Sequence, residues 1–132
     1  MTITERAKDG IVILELQGSV LLGNGDLALR EHISRLLARG LQRIILNLAG
    51  VPYVDSSGLG EIVRAMTTIK RAGGSFKLAS PTRRLVDILN ITKLSSILET
   101  YDTEDAALAS FQSPSAASSA EERQLRSAAE RS

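Results

Sequence analysis

The chain contains no cysteine. That excludes disulfides and thiolate metal ligation, and it suits a reducing compartment. It has a single histidine, His32. A metal site needs several His, Cys or carboxylate ligands at workable spacing, so no metal centre is expected and His32 reads as an ordinary surface or half-buried helix residue. Aromatic residues make up 3% of the chain, too few for base-stacking platforms. Charge of one sign is not in excess, with 16 basic residues against 15 acidic ones and no block of like charge. Neither a nucleic-acid footprint nor a polybasic membrane patch is indicated. No apolar run approaches the ~20 residues of a membrane span. The start, Met1-Thr2-Ile3-Thr4-Glu5-Arg6, also lacks the apolar stretch of a signal peptide. The expectation is a cytoplasmic protein with neither nucleic acid nor membrane among its partners.

Phosphate-binding fingerprints are missing too. There is no GxxxxGK[ST] loop for ATP. Neither Gly23-Asn24-Gly25 nor Gly58-Leu59-Gly60 extends to GxGxxG for a dinucleotide. No cofactor is therefore expected.

What is present is the material for one domain with one core. Thr2 to Ala7 reads as a short edge strand, Asp9-Gly10 as a tight turn, and Ile11 to Leu16 as a β-branched-rich strand, together an opening hairpin. Gly23-Asn24-Gly25-Asp26 offers a loop and a helix cap. Leu29, Ile33, Leu36 and Leu37 then recur at helical spacing up to Gly40. The almost wholly apolar run Ile44-Ile45-Leu46-Asn47-Leu48 predicts a central strand buried on both faces of a parallel sheet. A helix follows from about Ser56, with Leu59, Ile62, Val63, Met66 and Ile69 inward and Glu61, Arg64, Lys70 and Arg71 on a solvated face. Ser75 to Ala79 is a further strand, and Pro81 fits the first turn of a helix with Leu85, Val86 and Leu89 inward. A short strand near Ile97-Leu98-Glu99 and a helix from about Glu104 to Phe111 close the domain. The order β-β-α-β-α-β-α-β-α predicts an α/β fold with a mixed, mostly parallel sheet of four to five strands. From Ser113 the composition turns to Ser, Ala, Glu and Arg, with Leu125 nearly the only large apolar residue. The expected organisation is a domain over residues 1–112. Residues 113–132 form a tail expected to be disordered, or at best a solvated helix, because it cannot bury enough surface to offset its ordering entropy.

One segment concentrates candidate chemistry: Val54-Asp55-Ser56-Ser57-Gly58-Leu59-Gly60. It lies where the central strand hands over to a helix. Open α/β sheets place their sites at that end of the strands. A helix start also presents unpaired N–H groups and partial positive charge, which favour a phosphate attached there. Simple capping by Asp55 or Ser56, worth about 1 kcal/mol, accounts for part of the segment but not for the glycines. A helical glycine costs about 0.5–1 kcal/mol relative to alanine. Gly58 and Gly60 therefore imply either close packing on the sheet or approach of another molecule. A nucleophilic serine on a GxSxG elbow is disfavoured, because Val54 and Asp55 stand where the first glycine belongs and His32 is the lone base available. The chain is not read as an enzyme.

The run Ile44 to Leu48, followed by Tyr53-Val54-Asp55-Ser56-Ser57-Gly58-Leu59-Gly60, resembles the signature of STAS domains of anti-sigma factor antagonists. Gly73-Gly74 before a strand and Ile91-Thr92-Lys93-Leu94 after a helix extend the resemblance over roughly residues 3 to 111. It implies helices packed mainly on one face of the sheet. It implies phosphorylation at the first serine after the aspartate, here Ser56. It also implies a partner, an anti-sigma factor with serine-kinase activity, that binds the unphosphorylated form, and a serine phosphatase that reverses the mark. Asp55, Ser57, Gly58, Leu59 and Gly60 would meet that partner, as would Leu22, Gly23 and Asn24 of the preceding loop. That loop, Gly18-Ser19-Val20-Leu21-Leu22-Gly23-Asn24, departs from the family by having no acid before Asp26. Val20 and Leu22 either turn inward or form an apolar contact patch. The alternative function is a scaffolding STAS protein of a multi-protein stress-signalling assembly, and a homodimer is left open.

Overall fold

A computed structural model of the protein describes residues 2–18 and 24–112. The loop with Val20, Leu22 and Gly23 and the tail over 113–132 lie outside the described residues, so the expectations for them stay as sequence readings.

Strands β1 (Thr2–Lys8) and β2 (Ile11–Gln17) form the expected antiparallel hairpin. Its turn places Asp9 at φ 54° and Gly10 at φ 78°. Successive positive φ angles are those of the two-residue turn that matches strand twist, and Asp-Gly accepts them readily. Next come α1 (Asn24–Ala38), β3 (Arg43–Gly50), α2 (Ser56–Arg71), β4 (Ser75–Ala79), α3 (Arg83–Ile91), a 3-10 turn (Leu94–Ser96), β5 (Thr100–Tyr101) and α4 (Glu104–Gln112). One five-stranded sheet runs β1-β2-β3-β4-β5, with β2 through β5 parallel.

β3 is central, and Ile44 to Leu48 are all buried. The period of two divides the sheet between two layers. Val12, Leu14, Leu16, Ile44, Leu46, Leu48, Phe76 and Leu78 face the layer of α1, α2 and α3, where they join Leu36, Ile62 and Leu85 in the main core. Ile11, Ile13, Ile45 and Ala79 face the other way, onto Ala107 and Leu108 of α4. Each such fully buried aliphatic side chain contributes about 1.5–3 kcal/mol of transfer free energy.

Three expectations need correction. Pro81 precedes the third helix rather than entering it, because the Thr82 hydroxyl accepts from Leu85 N–H at 3.3 Å and so sets the cap. The last strand lies at Thr100–Tyr101, after Ile97 to Glu99. The amides of Ile97 and Leu98 both bond back to the Leu94 carbonyl, at 3.0 and 2.9 Å, which commits that stretch to a turn. Glu61 is not on the solvated face. It is only 8% exposed, and its carboxylate accepts from Arg30 of α1 at 2.7 and 3.3 Å.

On the second face a polar cluster fastens α4. Arg6 of β1 grips Glu104 with two hydrogen bonds, at 2.6 and 3.1 Å, and buried Asn47 donates to the same carboxylate at 2.8 Å. The Arg6 hydrogen bonds, helped by Asn47 and opposed by partial burial, hold the Glu104 carboxyl below the usual carboxylate range. A folded-state pKa below the unfolded one adds stability that is present above the ordinary Glu range and lost as pH falls through the folded value. Glu104→Gln is therefore expected to melt below wild type at neutral pH and to lose less on acidification from about pH 7 to about pH 3. Melting curves across that range test it, and an unchanging gap between the two proteins refutes the assignment.

Candidate functional site

The carboxyl ends of β2, β3 and β4 share one edge of the sheet. The Gly18 amide bonds to the Gly50 carbonyl at 2.9 Å, pinning the exit of β2 to that of β3. Beyond Gly50, buried Val51 and Val54 hold the connecting loop on the core while Pro52 and Tyr53 stay outside. Asp55 then sets the start of α2. Its backbone is extended (φ −86°, ψ −178°), and its Oδ1 accepts from Gly58 N–H at 2.8 Å. Its own carbonyl takes the Leu59 amide at 2.8 Å.

This geometry assigns distinct tasks within the motif. Asp55 caps the helix, so Ser56 is not needed for that purpose. Ser56 is the first helical residue, it is exposed, and its hydroxyl forms no hydrogen bond among the described residues. Ser57 is half-buried. Gly58 and Leu59 are buried, and Leu59 belongs to the main core, so these two seat the helix rather than line its outer surface. Gly60 is exposed, and a Cβ added there would meet nothing within 4 Å. Packing among the described residues thus gives no reason for glycine at 60, in the second turn of a helix. The outward stripe at the start of α2 is Ser56 and, one turn on, Gly60. Asn24 opens α1, which packs in the same layer as α2, and Leu22 and Gly23 lie outside the described residues.

Chemically, the arrangement presents a hydroxyl beside unpaired amide groups and the positive end of a helix. No general base contacts Ser56 among the described residues. His32 sits half-buried on α1 with its Nε2 2.9 Å from Glu5 Oε1. Among the described residues no helix is long and apolar enough to cross a membrane.

Two features of this edge escaped the sequence reading. The Arg84 guanidinium lies 5.3 Å from the centre of the Tyr53 ring, which joins the start of α3 to the loop before α2. The signal available in sequence was the pair Arg83-Arg84 opening a helix with no acid in its first turn. The Arg30–Glu61 pair could have been suspected only from contacts between separate helices.

The STAS domain family model matches residues 2–107. A Thermotoga neapolitana protein named as an anti-sigma factor antagonist is 34% identical over 104 residues, 79% of this chain and 92% of that one. The anti-sigma-B factor antagonist of Bacillus subtilis is 38% identical over 71 residues, 54% of this chain and 64% of that one. Among solved structures, the crystal structure of an anti-sigma factor antagonist from Thermotoga maritima superposes with a TM-score of 0.78 at 30% identity, covering 84% of this chain and 95% of that one.

Proposed function

The chain belongs to the STAS domain family, and from that premise we propose that it is a cytoplasmic anti-sigma factor antagonist switched by phosphorylation of Ser56. In the unphosphorylated state it binds an anti-sigma factor with serine-kinase activity and thereby releases a sigma factor for transcription. The partner supplies ATP and the phosphoryl-transfer machinery; this chain supplies the acceptor hydroxyl and the docking surface. A separate serine phosphatase restores the binding form.

The observation that carries the reading is the division of labour between Asp55 and Ser56. Asp55 already satisfies the Gly58 amide, so the exposed Ser56 hydroxyl is unoccupied at a position where helix-end amides favour an added phosphate. Ser57, one residue on, is half-buried and less accessible to a kinase. Asp55, Ser57 and the bare backbone at Gly60 surround the acceptor as the contact surface, and the sequence reading adds Leu22, Gly23 and Asn24 as further partner contacts.

Incubation with ATP and the native kinase is expected to place phosphate on Ser56 and not on Ser57. Site-resolving fragmentation of the phosphopeptide tests this; a mark on Ser57 or on the tail serines overturns the assignment. Capture from the source cell on an immobilised Ser56→Ala chain should retain the anti-sigma factor.

A further inference from the structure

The motif alone is a small footprint. A specific protein interface takes about 800 Å² from each partner, on the order of 20 residues a side. The outward groups of the motif are one serine, a glycine and two half-buried side chains. The rest of the contact must come from neighbouring surface, and one neighbour has features that folding does not explain.

Tyr53 is 42% exposed, a large aromatic left in solvent three residues before Ser56. The guanidinium of Arg84 stacks over it. Arg83 is beside it, 93% exposed by side chain, with only a long 4.0 Å approach to Asp87. Arg84 forms no ion pair among the described residues. Both arginines occupy the first turn of α3, where no acidic residue offsets them. The positive end of a helix disfavours cations there, so their placement works against the helix that carries them. Tyr and Arg are among the residues enriched at interface hot spots, and a guanidinium held over a ring can still offer its donors to carboxylates.

We propose that Tyr53, Arg83 and Arg84 form a second contact for the same protein that engages Ser56, and that they receive an acidic patch on it. This rests on the proposed anti-sigma partnership and extends it from the phosphorylation site to the start of α3. The tyrosine supplies apolar area at the centre of the contact. The two arginines, held at its rim, steer the encounter and pair with carboxylates. Contacts of that kind act chiefly on association rate and weaken with salt.

The test measures the rate of Ser56 phosphorylation of the full chain in a clarified lysate of the source cell supplied with ATP. Wild type should be phosphorylated fastest at about 0.05 M salt and slow clearly by about 0.3 M. The Arg83→Glu, Arg84→Glu chain should be at least about 10-fold slower at low salt and nearly insensitive to added salt. Tyr53→Ala should also be slower, while the Arg83→Lys, Arg84→Lys chain should keep most of the rate and the salt dependence. Matching melting curves establish that each variant is folded; these side chains are exposed, so little change is expected. Equal rates for wild type and the charge-reversed chain overturn the second contact and leave the Ser56 switch standing. No phosphorylation of wild type in the lysate overturns the kinase partnership, and the second contact with it.

Discussion

Ser56→Asp is expected to bind the anti-sigma factor about 30-fold to several thousand-fold more weakly than wild type, while Ser56→Ala binds constitutively and both melt like wild type. The separation of effects follows from where the residue sits. Within the domain, a charge at Ser56 meets two small opposing terms. The helix start stabilises it by about 0.3–1 kcal/mol, and the Asp55 carboxylate, held in place by its bond to the Gly58 amide, repels it. Ser56 is exposed, so no desolvation accompanies the charge until a partner covers it. At the interface the same charge is buried without a counterpart, at a cost of about 2–5 kcal/mol. At about 1.4 kcal/mol per tenfold, that range gives the loss in affinity. Phosphate carries about −1.5 to −2 charges, more than aspartate, so the phosphorylated chain should be the weakest binder of the series. Calorimetry with wild type, both variants and the phosphorylated protein measures it. Equal affinity across the four removes the electrostatic switch and favours a scaffold whose assembly ignores Ser56.

The fold was legible wherever one residue pattern admitted one structure. Ile44 to Leu48 is apolar on both strand faces, and only a central strand buries both. Asp9-Gly10 between two β-branched runs fixed the hairpin. The geometry of the candidate site was legible because its features are local: a cap, a hydroxyl and two glycines within the stretch from Asp55 to Gly60. Three misplacements have a common cause, since each was decided by a partner distant in sequence or by a cap competing with its neighbour. Thr82 caps the third helix, so Pro81, read from the sequence as part of its first turn, stands just before it. The last strand begins only at Thr100 because the amides of Ile97 and Leu98 turn back onto Leu94, and it pairs with Leu78 and Ala79 of β4. Glu61 follows polar spacing along α2, yet its exposure is decided by α1, which no periodicity within α2 reports. The same limit hid the contact between Tyr53 and Arg84, 31 positions apart by their numbers.

That misread glutamate makes an asymmetric prediction. Glu61 is 8% exposed and receives two hydrogen bonds from Arg30, at 2.7 and 3.3 Å, with Arg64 farther off at 3.6 Å. The Arg30 side chain is 48% exposed. Removing the two partners is therefore not equivalent. Arg30→Leu leaves a buried carboxylate facing only the longer contact to Arg64, which is 60% exposed and screened by solvent. Breaking a buried pair in this way costs about 3–5 kcal/mol when nothing remains. With Arg64 still near, a loss of about 2–3 kcal/mol is expected, equivalent to a melting temperature lower by about 10–20 °C in a domain of this size. Glu61→Leu instead leaves a guanidinium that is already half in water, where the loss of a partner is screened, so the change should stay within about 1 kcal/mol. The double variant, with leucine at both positions, faces Leu29, Ile33 and Ala65 across the groove between α1 and α2. It should recover most of the loss of Arg30→Leu, because well-packed apolar groups commonly replace a buried pair without penalty. Urea denaturation of the four proteins gives the cycle directly. Equal losses in the two single variants would mean that Glu61 is hydrated in solution, and would return it to the solvated face that its spacing along α2 suggests. The predicted asymmetry means instead that α1 holds α2 in place through one buried charge, along the helix whose first residue is the phosphate acceptor.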